Sequence, residues 1–361
     1  MKVLFLPKYS KNGASSRYRT YQYIDYYKEI YDCVVEPFFE ENYKPASYLN
    51  QKTSRIYLIK RYIKRLSLLF SARKYDLIFV EKEFLPYTPY FKLMFKLFKI
   101  KYVVDYDDAI FHSYDDNKNK ITRLFFKNKI RDVVRNAQWV VTGSPYLTSY
   151  AQQFNKNVIE IPTSIDFRKY EAKQSQNKNK NDVPIIGWIG SKTTCWNLLP
   201  LVPVFKNLQQ KGFKFKLHLI GFDESLIHLF DDVSIKIIPW NESTEVDEIR
   251  RFDVGLMPLE NSKFNLGKCA FKLIQYMACG VPTISTPFES NKKVDQNIGN
   301  LFAEKNEEWE AAIKQVINNP EKFKGIGQKN IKNVRENYSI QANKDSYLNL
   351  FRSIINHHQT V

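Results

Sequence analysis

A chain of 361 residues is long enough for two domains of ordinary size. Its composition, 43% hydrophobic and 15% aromatic, can bury sizeable cores, which excludes disorder as a description of the whole chain. A formal net charge of +17 points to an anionic partner: nucleic acid, a membrane surface or a phosphorylated substrate.

The four cysteines, Cys33, Cys195, Cys269 and Cys279, form no CxxC pair and no Cys/His cluster, so neither zinc nor a disulfide framework is expected. Reduced thiols in a cytoplasm fit best. No apolar run reaches the ~18 residues of a membrane span. The run Lys2–Pro7 reads as a first strand rather than a signal peptide. It leads into the small-residue loop Lys11–Ser16, which contains Gly13, and then into a helix from about Ser16. A strand, a Gly/Ser loop and a helix start form the type of turn that holds a phosphate or an acceptor group. Arg17 and Arg19 either reach a phosphate there or lie solvated on the first helical turn. Cys33–Phe39 reads as a second strand.

Arg55–Lys74 is amphipathic and basic. Ile59, Tyr62, Ile63, Leu66 and Phe70 share a stripe, and Lys60, Arg61, Lys64, Arg65, Arg73 and Lys74 supply charge beside it. Tyr90–Lys101 is a second such piece. Two readings stand: a helix lying on anionic lipid, or a helix packed on its sheet by the same stripe. Asp76–Val80 is a short buried strand. Tyr102–Phe111 is a strand ending in acids, which places Asp105, Asp107 and Asp108 at the carboxyl end of a parallel sheet. A carboxylate there can orient or deprotonate a hydroxyl, or stabilise a cationic centre. The alternative is an acidic turn capping the next helix. His112 reads as structural. Trp139–Ser144 is the next strand, and Ser144-Pro145 opens a helix. Lys169–Asp182 is a low-complexity polar run and reads as a domain linker.

In the second half, Pro184–Thr194 reads as a strand followed by the loop Gly190, Ser191, Lys192 and Thr193. That loop either holds a phosphate through its backbone N–H groups and Lys192 or is a plain surface turn. Further strands are expected at Leu217–Gly221, Ile235–Pro239 and Asp253–Met257, with a helix at Glu242–Arg251. Spacing predicts a helix from about Lys268 to Ala278 with Ala270, Leu273, Ile274 and Met277 buried. Lys268, Lys272 and Gln275 then share the other face, and Gly267 sits at the helix start, where an anion can approach free N–H groups. A nucleotide diphosphate suits that place; an ordinary solvated face is the alternative. Gly280 and Pro282 end the helix before a strand at Val281–Ser285. Past Ser290 comes a helix-poor stretch, then a helix at Trp309–Asn318 and one or two from Asn337 to His358. Alternating strands and helices predict parallel sheets.

The segments Phe252-Asp-Val-Gly-Leu-Met-Pro258 and Phe264–Pro287, with the tail Met277-Ala-Cys-Gly-Val-Pro282, resemble the nucleotide-sugar half of glycosyltransferase family 4. A branch with the pattern Gly-Lys-Cys-x-x-Lys-Leu-x-Gln-Tyr-Met-Ala is closer still. Gly267 and Gln275 stand where the family motif has two Glu, and Ser191 and Trp196 stand at its Arg and Lys positions. The resemblance implies an α/β GT-B fold, two Rossmann-like domains facing across a cleft. The expected boundaries are 1–168, a linker at 169–182, a nucleotide-sugar domain at 183–336, and a helix at 337–361 returning to the first domain. It also implies a retaining, metal-independent glycosyltransferase with no cofactor besides its donor. A sugar would pass from a nucleoside-diphosphate sugar to a glycan or lipid-linked acceptor in cell-surface polysaccharide assembly. Lys192, Lys268 and Lys272 would hold the diphosphate, Gln275 the ribose, and Asp107 and Asp108 would occupy the place of the family's His-Asp pair. The implied partners are a nucleotide sugar and an anionic inner membrane face, with a cytoplasmic, peripheral location and no nucleic acid. A nucleotide-sugar 2-epimerase of the same fold and a basic nucleic-acid-binding protein are the alternatives.

Overall fold

The computed structural model describes residues 1–40, 54–86, 88, 95, 100–171 and 183–359. Most of Tyr90–Lys101 and of the linker 169–182 lies outside these. The chain divides into two compact units. The first comprises Met1–Ser164, Ser262–Cys269 and Asn343–Val361; the second comprises Ile165–Asn261 and Ala270–Ala342. Ser262–Cys269 thus packs with the first unit, inside a stretch that the sequence assigns to the second.

The first unit is built on a six-stranded parallel sheet in the order β2-β1-β3-β4-β5-β6. Its strands are β1 (Lys2–Leu6), β2 (Asp32–Val35), β3 (Leu77–Glu81), β4 (Tyr102–Tyr106), β5 (Trp139–Thr142) and β6 (Val158–Glu160). β3 and β4 are buried along their whole length, which is why they read as unbroken apolar runs instead of alternating ones. On the last helix, Ile340–Gln359, Tyr347 and Phe351 are fully buried. The Phe351 ring lies 5.2 Å from Tyr27, 5.7 Å from Phe79 and 6.1 Å from Phe5.

The helix Arg55–Phe70 is turned differently from its sequence reading. Tyr62 and Leu66 pack against the core, as the stripe requires. Ile59, Ile63 and Phe70 face out, 57%, 61% and 72% exposed, while Arg61 and Arg65 face in at 6% and 3%. Backbone carbonyls at the ends of β1 and β2 cause the inversion. Arg61 donates to the carbonyls of Phe38 (2.7 Å) and Pro37 (2.6 Å), and Arg65 to those of Pro7 (3.1 Å) and Glu36 (3.2 Å). Burial, with Arg61 nearby, pushes Arg65 down to about 9.

The second unit carries another six-stranded parallel sheet, ordered β12-β11-β10-β7-β8-β9. Its strands are β7 (Ile185–Ile189), β8 (Lys216–Ile220), β9 (Ile235–Ile238), β10 (Val254–Met257), β11 (Thr283–Ser285) and β12 (Leu301–Phe302). Trp188, Phe205, Phe252 and Tyr276 are among its largest buried side chains. The stretch past Ser290 is not helix-poor: Glu289–Asp295 and Pro320–Asn337 are both helices. Two glycines, Gly325 and Gly327, weaken the second helix in sequence. Gly327 is needed there, because a Cβ on it would sit 2.1 Å from the Gly280 carbonyl oxygen. Buried Asn330 fixes that helix to the strand edge, bonding Asn300 at 2.7 Å and the Val281 carbonyl at 3.1 Å.

Phe351→Ala should cost roughly 3–5 kcal/mol, the usual range for emptying a buried aromatic site. Chemical denaturation measures it, and a cost below about 1 kcal/mol would mean the last helix is not part of the first unit's core.

Candidate functional site

In the first unit, β1, β3 and β4 deliver a dense set of charges to their carboxyl ends, where an open parallel sheet offers its binding crevice. After β1 the chain turns at Gly13, whose N–H bonds the Ser10 carbonyl at 2.9 Å, and enters the helix Ala14–Arg19. Gly13 is compelled by close approach: a Cβ would lie 2.4 Å from Cβ of Tyr9. Ser15 then donates to Asp107, and Ser16 donates to Glu81 at 2.6 Å. Arg19 is buried, and its guanidinium grips both oxygens of buried Asp105 at 2.8 and 2.5 Å. A third bond reaches the Ile161 carbonyl at 2.8 Å. Arg19 thus fits neither of the two readings the sequence left open, a phosphate ligand or a solvated side chain; burial and the bidentate pair commit it to holding β4. Arg17 is half-buried, stacked 5.0 Å over the Tyr18 ring.

β3 ends in Glu81-Lys82-Glu83, three charges that are all buried. The Glu83 N–H bonds the Glu81 carbonyl at 2.7 Å, a three-residue turn with Lys82 at its centre and φ of 64°. Such a conformation is costly for a lysine and is kept only where surroundings fix it. They do so here: Lys82 Nζ lies 2.9 Å from Asp107 and 3.2 Å from Asp108. Lys268 Nζ approaches Asp108 from another side at 2.7 Å. Asp107 and Asp108 are thus brought together between two ammonium groups. Burial alone would raise Asp108, but Lys268 and Lys82 overcome it and hold the carboxyl at about 2. Glu81 goes the other way. Burial pushes it up to about 7 against the pull of Lys82, with Asp107 adding to the rise. Glu83 is matched by Lys129 at 2.5 Å and by the Tyr114 hydroxyl. His112 is held at both ring nitrogens, by Asp115 (2.9 Å) and Tyr146 (2.8 Å).

The segment expected as one helix from Lys268 to Ala278 is two. A short helix spans Lys263–Leu266, and the next begins only at Phe271. Ala270 between them is left-handed, with φ of 54°. Gly267 therefore closes the first helix and does not open the second. A Cβ on Gly267 would sit 2.5 Å from Cβ of Ala109, so close packing against the β4 loop explains it. Lys268 is outside any helix and is committed to Asp108, so no helix face is shared by Lys268, Lys272 and Gln275. The buried stripe is as predicted: Ala270, Leu273, Ile274 and Met277 are at most 2% exposed. Gln275 is buried too.

In the second unit the loop after β7 folds around Thr194. Its hydroxyl accepts from the Ser191 N–H at 3.0 Å and donates to the Ser191 carbonyl at 3.1 Å. The Ser191 N–H is thus used internally, which removes it from the expected phosphate-binding set. Lys192 and Thr193 are exposed. Gly190 is required by close packing, since a Cβ would meet the Trp188 ring at 2.2 Å. Lys272, in the first turn of Phe271–Ala278, places its ammonium 4.4 Å from the centre of that same ring. Trp188 therefore links Lys272 to the Gly190 loop, a role the sequence did not reveal. The helix start has no side-chain cap.

Residues 183–319 match the family described as Glycosyl transferases group 1. No curated protein matches the chain. Among solved structures it is similar to sucrose-phosphate synthase from Thermosynechococcus elongatus, with 12% identity, a TM-score of 0.71, and 99% of this chain and 100% of that one covered. A glycosyltransferase from Rickettsia africae shares 12% identity at a TM-score of 0.69, with 98% of each chain covered. HepE of Anabaena, solved with UDP-glucose, shares 13% identity at a TM-score of 0.68, with both chains covered in full. At these identities the likeness is one of fold, and the fold is GT-B, with two Rossmann-like domains on parallel sheets.

Glu81→Gln tests the charge cluster. The folded-state carboxyl lies at about 7 against an ordinary 4.5, so between those values the folded protein holds a proton that the unfolded chain has released. Wild-type stability should then fall with rising pH across that window, by on the order of 3 kcal/mol from this group. Glutamine takes no proton, so the variant should gain on wild type between about pH 5 and pH 8 in denaturation experiments. Parallel pH dependences would contradict the placement.

Proposed function

We propose that this chain is a glycosyltransferase that takes a sugar from a nucleoside-diphosphate donor. The observation that carries the reading is the Lys272 ammonium above Trp188, in the first turn of an uncapped helix beside the Gly190 loop. A cation, helix N–H groups and a glycine loop suit a diphosphate, and they stabilise it best as the leaving group gains charge. The family match at 183–319 falls on these residues. Exposed Lys192 supplies a second cation from the loop.

Asp107 and Asp108 act on the acceptor side. Held at about 2, Asp108 is ionised at neutral pH and is a weak proton acceptor. Its work is to orient an acceptor hydroxyl or to stabilise positive charge on the reacting sugar. The resemblance to family 4 supports retention of configuration without a metal, and an acceptor that is a glycan or a lipid-linked glycan of a cell-surface polysaccharide.

Thermal stabilisation by UDP, GDP, dTDP and CMP tests the donor site. UDP comes first because Anabaena HepE, similar in fold, is solved with UDP and with UDP-glucose. A nucleotide at ~100 times its dissociation constant should add about 2.7 kcal/mol. Lys272→Ala should weaken that binding roughly tenfold, the loss of one charge-assisted contact. Asp108→Asn should leave nucleotide binding intact while lowering sugar release or transfer by roughly 100-fold. No shift with any nucleotide would overturn the donor assignment.

A further inference from the structure

Beside the helix Lys120–Phe126 the first unit has an open recess of about 600 Å³ that includes neither the carboxylate cluster nor any donor-site residue. Lys120, Arg123, Lys127 and Arg131 line it, with aromatic surface from Tyr150 and Phe154 and a single acid, Asp115, among its described lining residues. The acid is already engaged, bonded to the His112 ring at 2.9 Å. Arg131 is engaged as well, paired with Asp132 at 3.1 Å. Lys120, Arg123 and Lys127 are exposed and have no ion pair among the described residues.

Those three cations stand at i, i+3 and i+7, so one helix face carries them in a row with about one turn, 5.4 Å, between neighbours. Like charges at this spacing weaken a helix. Lys120 adds to the cost, because it sits at the positive end of the helix dipole. No acid from Asn117 to Asn128 relieves the row. Asn119 steadies the helix start instead, its side chain accepting from the N–H groups of Ile121 (2.9 Å) and Thr122 (3.3 Å). The aromatic wall is rigid: Tyr150 lies flat on Phe111 at 3.6 Å, and Phe154 meets Tyr150 edge-on at 5.3 Å. Phe111 belongs to the stretch that follows Asp108, so the recess backs onto the same segment of chain as the acceptor-side carboxylates.

We propose that this recess binds an anionic stretch of saccharide, with carboxylate, sulfate or phosphate groups meeting Lys120, Arg123 and Lys127 and sugar rings lying against Tyr150 and Phe154. A cation at each helical turn keeps pace with a chain of charged hexose units, and the apolar C–H face of a sugar needs only one side or edge of a ring. A nucleic-acid base is a poorer match, because base stacking wants an open ring face and Phe111 already covers one face of Tyr150. The choice of a saccharide rests on the transferase reading, in which this unit takes the acceptor; the recess would then grip an acceptor glycan away from its reacting end.

The experiment is calorimetric titration of the full chain, without nucleotide, using a heparin hexasaccharide, neutral maltohexaose and a thymidine oligonucleotide of matching charge. The heparin hexasaccharide should bind, more tightly than the oligonucleotide, and maltohexaose should not; raised salt should weaken the binding. Lys120→Gln with Lys127→Gln should lower the affinity by roughly tenfold or more. Lys60→Gln with Lys118→Gln removes the same charge from exposed positions outside the recess and should change it by less than about twofold. All four substitutions are at exposed side chains, so melting temperature should hold. Absence of heparin binding, equal binding of maltohexaose, tighter binding of the oligonucleotide, or equal losses in the two double variants would overturn the proposal. Stabilisation by UDP is read on the same samples. If UDP stabilises and the hexasaccharide does not bind, the recess proposal fails alone; hexasaccharide binding lost in Lys120→Gln with Lys127→Gln, without any nucleotide effect, would support the recess and count against the donor reading.

Discussion

The ammonium of Lys82 is what makes the first unit's charge cluster tenable. Glu81, Asp105, Asp107 and Asp108 emerge together at the carboxyl ends of two neighbouring strands, and four carboxylates so placed would repel one another strongly. Arg19 takes Asp105, while Lys82 bridges Asp107 and Asp108 and Lys268 closes the far side of Asp108. Glu81 is left with a weaker claim on the cations and leans toward its protonated form. Lys82 reaches its position only through a left-handed turn, so local backbone strain is part of how the cluster is assembled. Removing one partner from such a cluster leaves an uncompensated buried charge, which is far costlier than replacing the pair.

The cluster also selects among chemical roles. A carboxylate stabilised by two ammonium groups gives up little of its charge and accepts a proton poorly, so the role proposed for Asp108 is one of field and hydrogen bonds. The second unit works by different means. The features proposed there to bind an anion are backbone N–H groups, one glycine loop and a lysine seated over a tryptophan face.

Much of this was legible in the sequence wherever one period or one boundary ruled. The strand end at Val80 followed from an apolar run stopping at charges, and reading Tyr102–Phe111 as a strand ending in acids placed Asp105, Asp107 and Asp108 at the carboxyl edge, although the strand itself stops at Tyr106. The stripe Ala270, Leu273, Ile274 and Met277 followed from helical spacing. The break between Lys268 and Phe271 was hidden, because the 3.6-residue pattern runs through Ala270 and no glycine marks its left-handed turn. Lys82 was hidden for a related reason. Glu-Lys-Glu after an apolar strand looks like a solvated end; only its position at the carboxyl edge of a parallel sheet hinted otherwise. Arg61 and Arg65 defeated the amphipathic reading, since nothing local tells an arginine that caps strand carbonyls from one facing water. Pro320–Asn337 was missed because its two glycines look like breakers, yet Gly327 is there to let the helix pass over the turn at Gly280.

Ion pairs with Lys82 and Lys268 keep Asp108 charged, and a double-mutant cycle measures one of them directly. Denaturation of wild type, Lys268→Met, Asp108→Asn and the double variant gives the coupling energy between the two side chains. Contacting charges within one network should couple by about 1–3 kcal/mol. Effects that add to within about 0.5 kcal/mol would show that Lys268 does not hold Asp108, and would contradict the arrangement from which the first unit's role is argued.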